Sequence, residues 1–222
     1  MQESEAPRRS LSSIILCLVA LSALTGLDLW SKQWAEEHLS RSRPVGNAPD
    51  VCDPEDRRFQ RLPDGSLSLI EGHFELRYAE NCGAAFGLLN TANVVVRSLV
   101  FGIAGVVAIS ALLWMFWMGR GGICFALSVP CIVSGALGNL WDRASRGYVI
   151  DFIRAYDLPG YRSSWDYPTF NVADIAITVG VALMFIASFR EDASREDGAA
   201  TSGDSLSSGE ALEDKEASRG NA

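Results

Sequence analysis

The 222-residue chain is 48% hydrophobic and 21% charged, yet its mean hydropathy is only +0.12, because uncharged apolar runs alternate with strongly charged stretches. That partition excludes a uniform soluble globule as well as collagen-like, disulfide-framework and wholly disordered chains, and it makes a membrane protein the first expectation. Most of the net charge of −8 sits in residues 190–222, where nine Asp or Glu face four Lys or Arg, and no block of Lys and Arg marks a nucleic-acid partner.

Residues 1–10, which end in Arg8, Arg9 and Ser10, are expected to form a short cytoplasmic N-terminus. Residues 11–27 then read LSSIILCLVALSALTGL, which as a helix rising about 1.5 Å per residue nearly crosses a hydrocarbon core. Arg8, Arg9 and the small residues Ala23 and Gly26 also fit a cleaved signal peptide. The length of the run and the following Asp28, Trp30 and Lys32 favour a retained span with an interface anchor. Cys17 follows Ile15 and Leu16, without the small residue expected before a lipid-modified cysteine, so the chain is not expected to be a lipoprotein itself.

Residues 32–97 form an extended loop, in which FELRY has the alternation of a strand. Residues 98–118, 123–140 and 172–189 are apolar runs like the first, and Pro130 in the third is tolerable where neighbouring helices satisfy a freed carbonyl. Four spans are predicted, with three as the competing count, and LLWMFWM at the end of the second reads as an aromatic belt. The acidic tail, residues 190–222, is expected to be disordered and dispensable for chemistry. Arg8, Arg9, Arg120, Arg190 and Arg195 fall on one side of this topology, which the positive-inside rule makes the cytoplasm.

This topology collects Asp28, Asp142, Asp151 and Asp174 at the opposite, outer edge of the spans. Asp174 lies within one turn of the start of an apolar helix, where a carboxylate is costly unless paired, protonated or exposed to a cavity; a plain helix-end carboxylate is the alternative. Two carboxylates sharing a site cannot both ionise easily, so one becomes an acid and the other a base able to activate water against a peptide carbonyl. Asp142 has Arg143 beside it and Arg146 one turn on, which suits a structural ion pair, whereas Asp151 in YVIDFI has apolar neighbours that raise a pKa. Asp151 is therefore the favoured partner of Asp174. His38 and His73 lack zinc-site spacing, and neither a Gly-x-Ser-x-Gly elbow nor a phosphate loop is present, so no metal or cofactor is expected.

Five short motifs in order carry a family resemblance. Asp28, Ser31 and Lys32 close the first span; Asn81, Gly83, Ala84, Ala85 and Phe86 follow the strand. Gly135, Ala136, Gly138, Asn139, Leu140, Asp142 and Arg143 end the third span, before Gly147, Val149, Asp151 and Phe152, then Phe170, Asn171, Ala173 and Asp174. Across residues 11–189 the chain resembles lipoprotein signal peptidase, the type II signal peptidase, a four-span aspartic protease family of the bacterial inner membrane. The resemblance implies an all-α membrane fold, a four-helix bundle with a small extracytoplasmic β cradle. It also implies an endopeptidase that cuts before a cysteine bearing a diacylglyceryl group, with Asp151 and Asp174 as the catalytic pair. Asn81, Gly83, Asn139, Arg143 and Asn171 would line the site or bind substrate, with Asp28, Lys32 and Asp142 in support; helix capping is the plain alternative for the Asn residues. Implied partners are lipid-modified prolipoproteins and membrane lipids, acting on a monomer with both termini cytoplasmic and the active site at the periplasmic face. Gly135 and Gly138 would serve close helix packing.

Ser134 and Cys82 depart from the family's usual residues, and residues 41–70 lengthen the first outer loop. Cys17, Cys124 and Cys131 read as packing residues within spans; Cys52 and Cys82 fall on the oxidising side, either free or joined in a disulfide tying the insert to the Asn81 loop. Two other classes compete: a membrane scaffold with a polar rim, and a transporter using the Asp residues as a proton relay. The clustering of carboxylates at one rim, with few ionisable groups elsewhere in the spans, favours surface chemistry over translocation.

Overall fold

A computed structural model describes residues 9–44, 46–52, 58–83, 94–119, 121–156 and 167–190. Ala84 to Phe86, Arg120 and residues 191–222 of the acidic tail lie outside the described residues.

Helix α1 runs over Leu11–His38, with Ser10 as its N-cap accepting from the Ser13 amide. It continues eleven residues beyond the apolar stretch that ends at Leu27, because the sequence after Asp28 remains helix-forming and buries a stripe. Asp28, Ser31, Lys32 and Ala35, spaced three and four apart, form that stripe, whereas only Cys17 is buried in the preceding apolar half. Helix α2 spans Val94–Trp117 and stops at Gly119, whose φ of 71° is the left-handed conformation that ends helices at low steric cost. Helix α3, Ile123–Ser145, contains Pro130 and packs against both α1 and α2. Helix α4 spans Val172–Arg190.

Three of these helices, α1, α3 and α4, are long and apolar enough to cross a membrane; α2 contributes the shorter apolar segment Gly102–Trp117. The most hydropathic window of α3 is 44% buried against 11% in α1 and 17% in α4, which makes α3 the central helix. Gly180 of α4 lies so close to it that an added Cβ would stand 2.6 Å from Ile132 and 2.9 Å from the Ser128 carbonyl. At one end of the helices Cys17, Phe116, Phe125, Val129, Val133 and Ala187 pack together, and the Arg9 guanidinium donates to the Gly121 carbonyl at 2.6 Å.

Among the described residues, the other end carries two small antiparallel sheets. β1 (Ser40–Ser42) pairs with β2 (Arg61–Pro63), and β3 (Leu67–Ile70), β4 (Phe74–Asn81) and β5 (Val149–Ala155) form a sheet in that order. The FELRY alternation thus lies within β4. The stretch around Asp151 is itself a strand, paired across β4 so that Ala79 faces Asp151 and Asn81 faces Val149. A register shift between Leu76 and Ala79 bends this ladder. Ala35, Leu39, Tyr78, Tyr148, Ile150 and Phe152 form the apolar cluster that joins the sheet to the end of α1. Alternation along β5 sends Ile150 and Phe152 into that cluster and leaves Asp151 for the opposite face.

Candidate active site

Asn171 is the residue around which the site is organised. It immediately precedes α4, and its side-chain oxygen accepts from the Asp174 amide at 3.0 Å while an Asp174 carboxylate oxygen accepts from the Asn171 amide at 3.1 Å. This reciprocal pair is a capping box, which satisfies two amide donors at the helix start. The plain capping role and the site role therefore coincide. The Asn171 side-chain amide also donates to Asp151 Oδ1 at 2.7 Å, to Asn139 Oδ1 at 3.2 Å and to the Ile150 carbonyl at 3.3 Å. One fully buried residue thus touches both carboxylates, Asp151 through its side-chain amide and Asp174 through its backbone amide.

Each carboxylate has a second amide. Asn81, at the end of β4, donates to Asp151 Oδ2 at 3.0 Å; it lies diagonally across the ladder on the same face. Asn139, on α3, donates to Asp174 Oδ1 at 2.9 Å. Asp151 is 1% exposed, and its pKa is pushed up to about 7 by burial first and by the Asp174 charge second, against the opposing Asn81 and Asn171 hydrogen bonds and the Lys32 charge. A carboxyl group that holds a proton near neutrality, beside another carboxylate, has the chemistry of an acid–base pair.

Beneath the pair lies a buried charge network. The Lys32 ammonium donates to Asn139 Oδ1 at 2.8 Å and pairs with Asp28 at 2.8 Å and with Asp142 at 3.2 Å. Three acceptors match its three protons. Asp28 in turn accepts from the Ala173 amide at 2.8 Å, inside the first turn of α4. Asp142 accepts from the Ile150 amide at 3.2 Å, which fixes the residue next to Asp151, and pairs with Arg146 at 2.9 Å. Arg143, beside Asp142 in sequence, points elsewhere: it donates to the Asn139 carbonyl at 3.2 Å and to the Gly83 carbonyl at 3.0 Å. Gly83 is buried and returns its amide to Asn81 Oδ1 at 3.0 Å.

The two small residues of α3 have separate uses. A Cβ at Gly135 would collide with the Ala173 carbonyl and Ile177, and one at Gly138 would collide with the Asp28 carboxylate. Every site residue drawn from the sequence is thus connected to one network around Asp151 and Asp174. Glu36 escaped sequence reading; it pairs with Arg146 at 3.0 Å and with Arg61 at 3.8 Å. Its signal was the spacing Asp28, Lys32, Glu36 on one helical face, legible only once α1 is extended past Leu27.

A family model described as signal peptidase (SPase) II matches residues 20–190. Lipoprotein signal peptidase of Ectopseudomonas mendocina is 35% identical over 150 residues, covering 65% of this chain and 86% of that protein. The Acinetobacter baylyi protein of the same name is 34% identical over 163 residues, covering 73% and 75%. The fold is similar to that of a solved bacterial membrane enzyme, determined by the in meso method at 2.3 Å resolution, with TM-score 0.61 at 23% identity, covering 83% of this chain and 93% of that one. The helices long enough to span a bilayer, the ordered motifs and this match over most of the chain place it in the signal peptidase II family, the bacterial membrane proteases that remove signal peptides from prolipoproteins.

Proposed function

We propose that the chain is a membrane-embedded aspartic endopeptidase that cuts diacylglyceryl-modified prolipoproteins before the lipidated cysteine, with Asp151 and Asp174 as the catalytic pair. The observation that carries this reading is the single Asn171 side chain holding Asp151 while it caps the turn of Asp174. With the shared proton on Asp151, Asp174 takes a proton from the attacking water as Asp151 protonates the scissile carbonyl oxygen. The resulting tetrahedral diol collapses when Asp174 passes its proton to the leaving nitrogen and a diol hydroxyl returns one to Asp151. The cycle needs no metal or cofactor. Asn81, Asn139 and Asn171 hold the two carboxyls in place, and Arg143 braces Gly83 beside them. All these groups come from one chain, which suits a monomer.

The same reading takes α2 as the fourth span and sets the protein in the bacterial inner membrane, with the β cradle and the site at the periplasmic face and both termini in the cytoplasm. Arg9 and Arg190 lie at the helix ends far from the site, in keeping with the positive-inside rule. A lipid-anchored substrate would then reach carboxyls waiting at its own depth.

The test is cleavage of a diacylglyceryl-modified prolipoprotein by purified protein in detergent, with a metal chelator present. Wild type should cleave, while Asp151→Asn and Asp174→Asn, each verified as folded, should lose activity by at least about 10³-fold. Retained cleavage in either folded variant removes that residue from the chemistry, and inert, well-folded wild type removes the peptidase reading.

A further inference from the structure

Cys82 stands between two residues that shape the site. Asn81 before it donates to Asp151, and Gly83 after it accepts from Arg143 and donates back to Asn81. Asn81 is also the last residue of β4, so the ladder stops where the site begins. Cys82 is joined by a disulfide to Cys52, thirty residues earlier, with the two Cα atoms 5.5 Å apart.

The other half of that bridge is equally well placed. Cys52 is buried and has φ 57°, the sole positive φ outside glycine among the described residues. Its sulfur lies 3.6 Å from the Gly147 carbonyl oxygen. Its neighbour Val51 closes on the same turn, so that a Cβ at Gly147 would lie 2.7 Å from Val51 Cγ1. Gly147, with φ 84°, lies two residues before β5, the strand of Asp151. Residues 51 and 52 therefore lie against the turn that starts the Asp151 strand and are bonded to the residue following Asn81. Both ends of the Asn81–Asp151 hydrogen bond are held from one point in the loop insert.

We propose that the Cys52–Cys82 disulfide is a positioning device for catalysis, which fixes the Asn81 amide on the Asp151 carboxylate by tying the end of β4 to the turn that opens β5. This rests on the peptidase reading above. Reduction breaks the S–S bond and leaves two thiols; a phosphine supplies the two electrons and leaves as its oxide, with one water supplying the two protons and the oxide oxygen. Residues 81–83 are then released from the Gly147 turn, while Asp151 keeps its Asn171 contact. The Asn81 contact favours the ionised form of Asp151, so its loss moves the titration of Asp151 upward. The charged groups facing Asp151 are Asp174 of α4, which favours its neutral form, and Lys32 of α1, which opposes it; Asn139 of α3 and Asn171 are neutral.

The experiment compares untreated wild type, phosphine-reduced wild type, Cys52→Ser/Cys82→Ser and Asn81→Ala, with and without reduction. Cys17, Cys124 and Cys131 are free thiols, so reduction acts on this bond alone. Reduction, or the double serine variant, should lower kcat about tenfold with KM within about twofold, and should move the Asp151 limb of the pH profile upward. In Asn81→Ala, reduction should cost nothing further, because the group it positions is gone. An unchanged kcat and pH profile after complete reduction overturns the proposal, as does a full additional loss on Asn81→Ala. Amide exchange at Gly83 gives a readout independent of cleavage: protected when oxidised, exposed when reduced. Unchanged exchange, or alkylation of Cys52 and Cys82 without prior reduction, overturns the clamp whatever the activity. If oxidised wild type cleaves nothing while Gly83 exchange responds as expected, the peptidase reading falls and the clamp on Asn81 stands.

Discussion

Asp151 is placed where a carboxylate costs stability. Its ordinary pKa of 3.8 rises to about 7 in the fold, so between those values the folded chain holds a proton that the unfolded chain has released. Stability therefore falls as pH rises through this window, and above about pH 7 the full penalty applies, on the order of 4 kcal/mol. Asp151→Asn removes the ionisable group while keeping the shape, and its amide must find new partners where two amides once donated. Its melting temperature in detergent, relative to wild type, should accordingly be higher at pH 8 than at pH 5. A difference independent of pH would mean that Asp151 titrates normally and does not hold the proton. The residue scale was the most legible in the sequence. YVIDFI announced an apolar setting for Asp151, and Asp142 was assigned to ion pairing from its nearby arginines. Of those arginines it is Arg146, not the adjacent Arg143, that makes the pair, because side chains one apart on a helix diverge while those four apart meet; what spacing did not reveal is the second partner of Asp142, Lys32 of α1.

At the scale of elements, the site depends on how closely α3 approaches α1 and α4. A Cβ on Gly138 would strike the Asp28 carboxylate, which is held on both sides by Lys32 and by the Ala173 amide at the start of α4. Gly138→Ala should destabilise the protein by about 1–3 kcal/mol and reduce cleavage about tenfold, since Lys32 and Asn139 move with Asp28. Gly26→Ala is the control: nothing lies within 4 Å of its added Cβ in the interior of α1, so it should leave the melting temperature unchanged or raise it. Equal effects of the two substitutions would show that close packing at Gly138 is not what holds the network. The apolar runs made all four helices legible, but the polar continuation of α1 to His38 was not. Its buried face is built from Asp28, Ser31 and Lys32, residues that hydropathy scores as loop. The strand character of β5 was hidden for a related reason: with both faces covered, VIDFI is apolar on either side of Asp151 and lacks the regular alternation of a half-exposed strand. Long-range contacts such as Lys32 to Asn139, 107 residues apart, have no local signature at all.

Over the whole molecule, the proposed function calls for apolar surface and a carboxyl site suited to a substrate that shares the bilayer. Leu11, Ile15, Leu16, Leu18 and Val19 on α1 and Phe185, Ile186 and Phe189 on α4 are exposed, as a lipid-facing surface requires. An acyl chain gains about 0.8 kcal/mol per buried CH₂, so under the proposed function two chains on a diacylglyceryl-modified cysteine would confine the scissile bond to the same phase as the enzyme. Cleavage should then depend on substrate per unit of detergent or lipid rather than on bulk concentration. Adding empty micelles at fixed enzyme and substrate should slow cleavage of the lipidated prolipoprotein in proportion to its surface dilution. The same chain lacking the diacylglyceryl group should show kcat/KM lower by at least about 10³-fold. If the unlipidated chain is cleaved as well, and empty micelles have no effect, recognition resides in the peptide and the depth of Asp151 and Asp174 is incidental to it. If the lipidated chain alone is cleaved and follows surface dilution, the bundle acts by holding two carboxyls at the depth where the lipid delivers the bond.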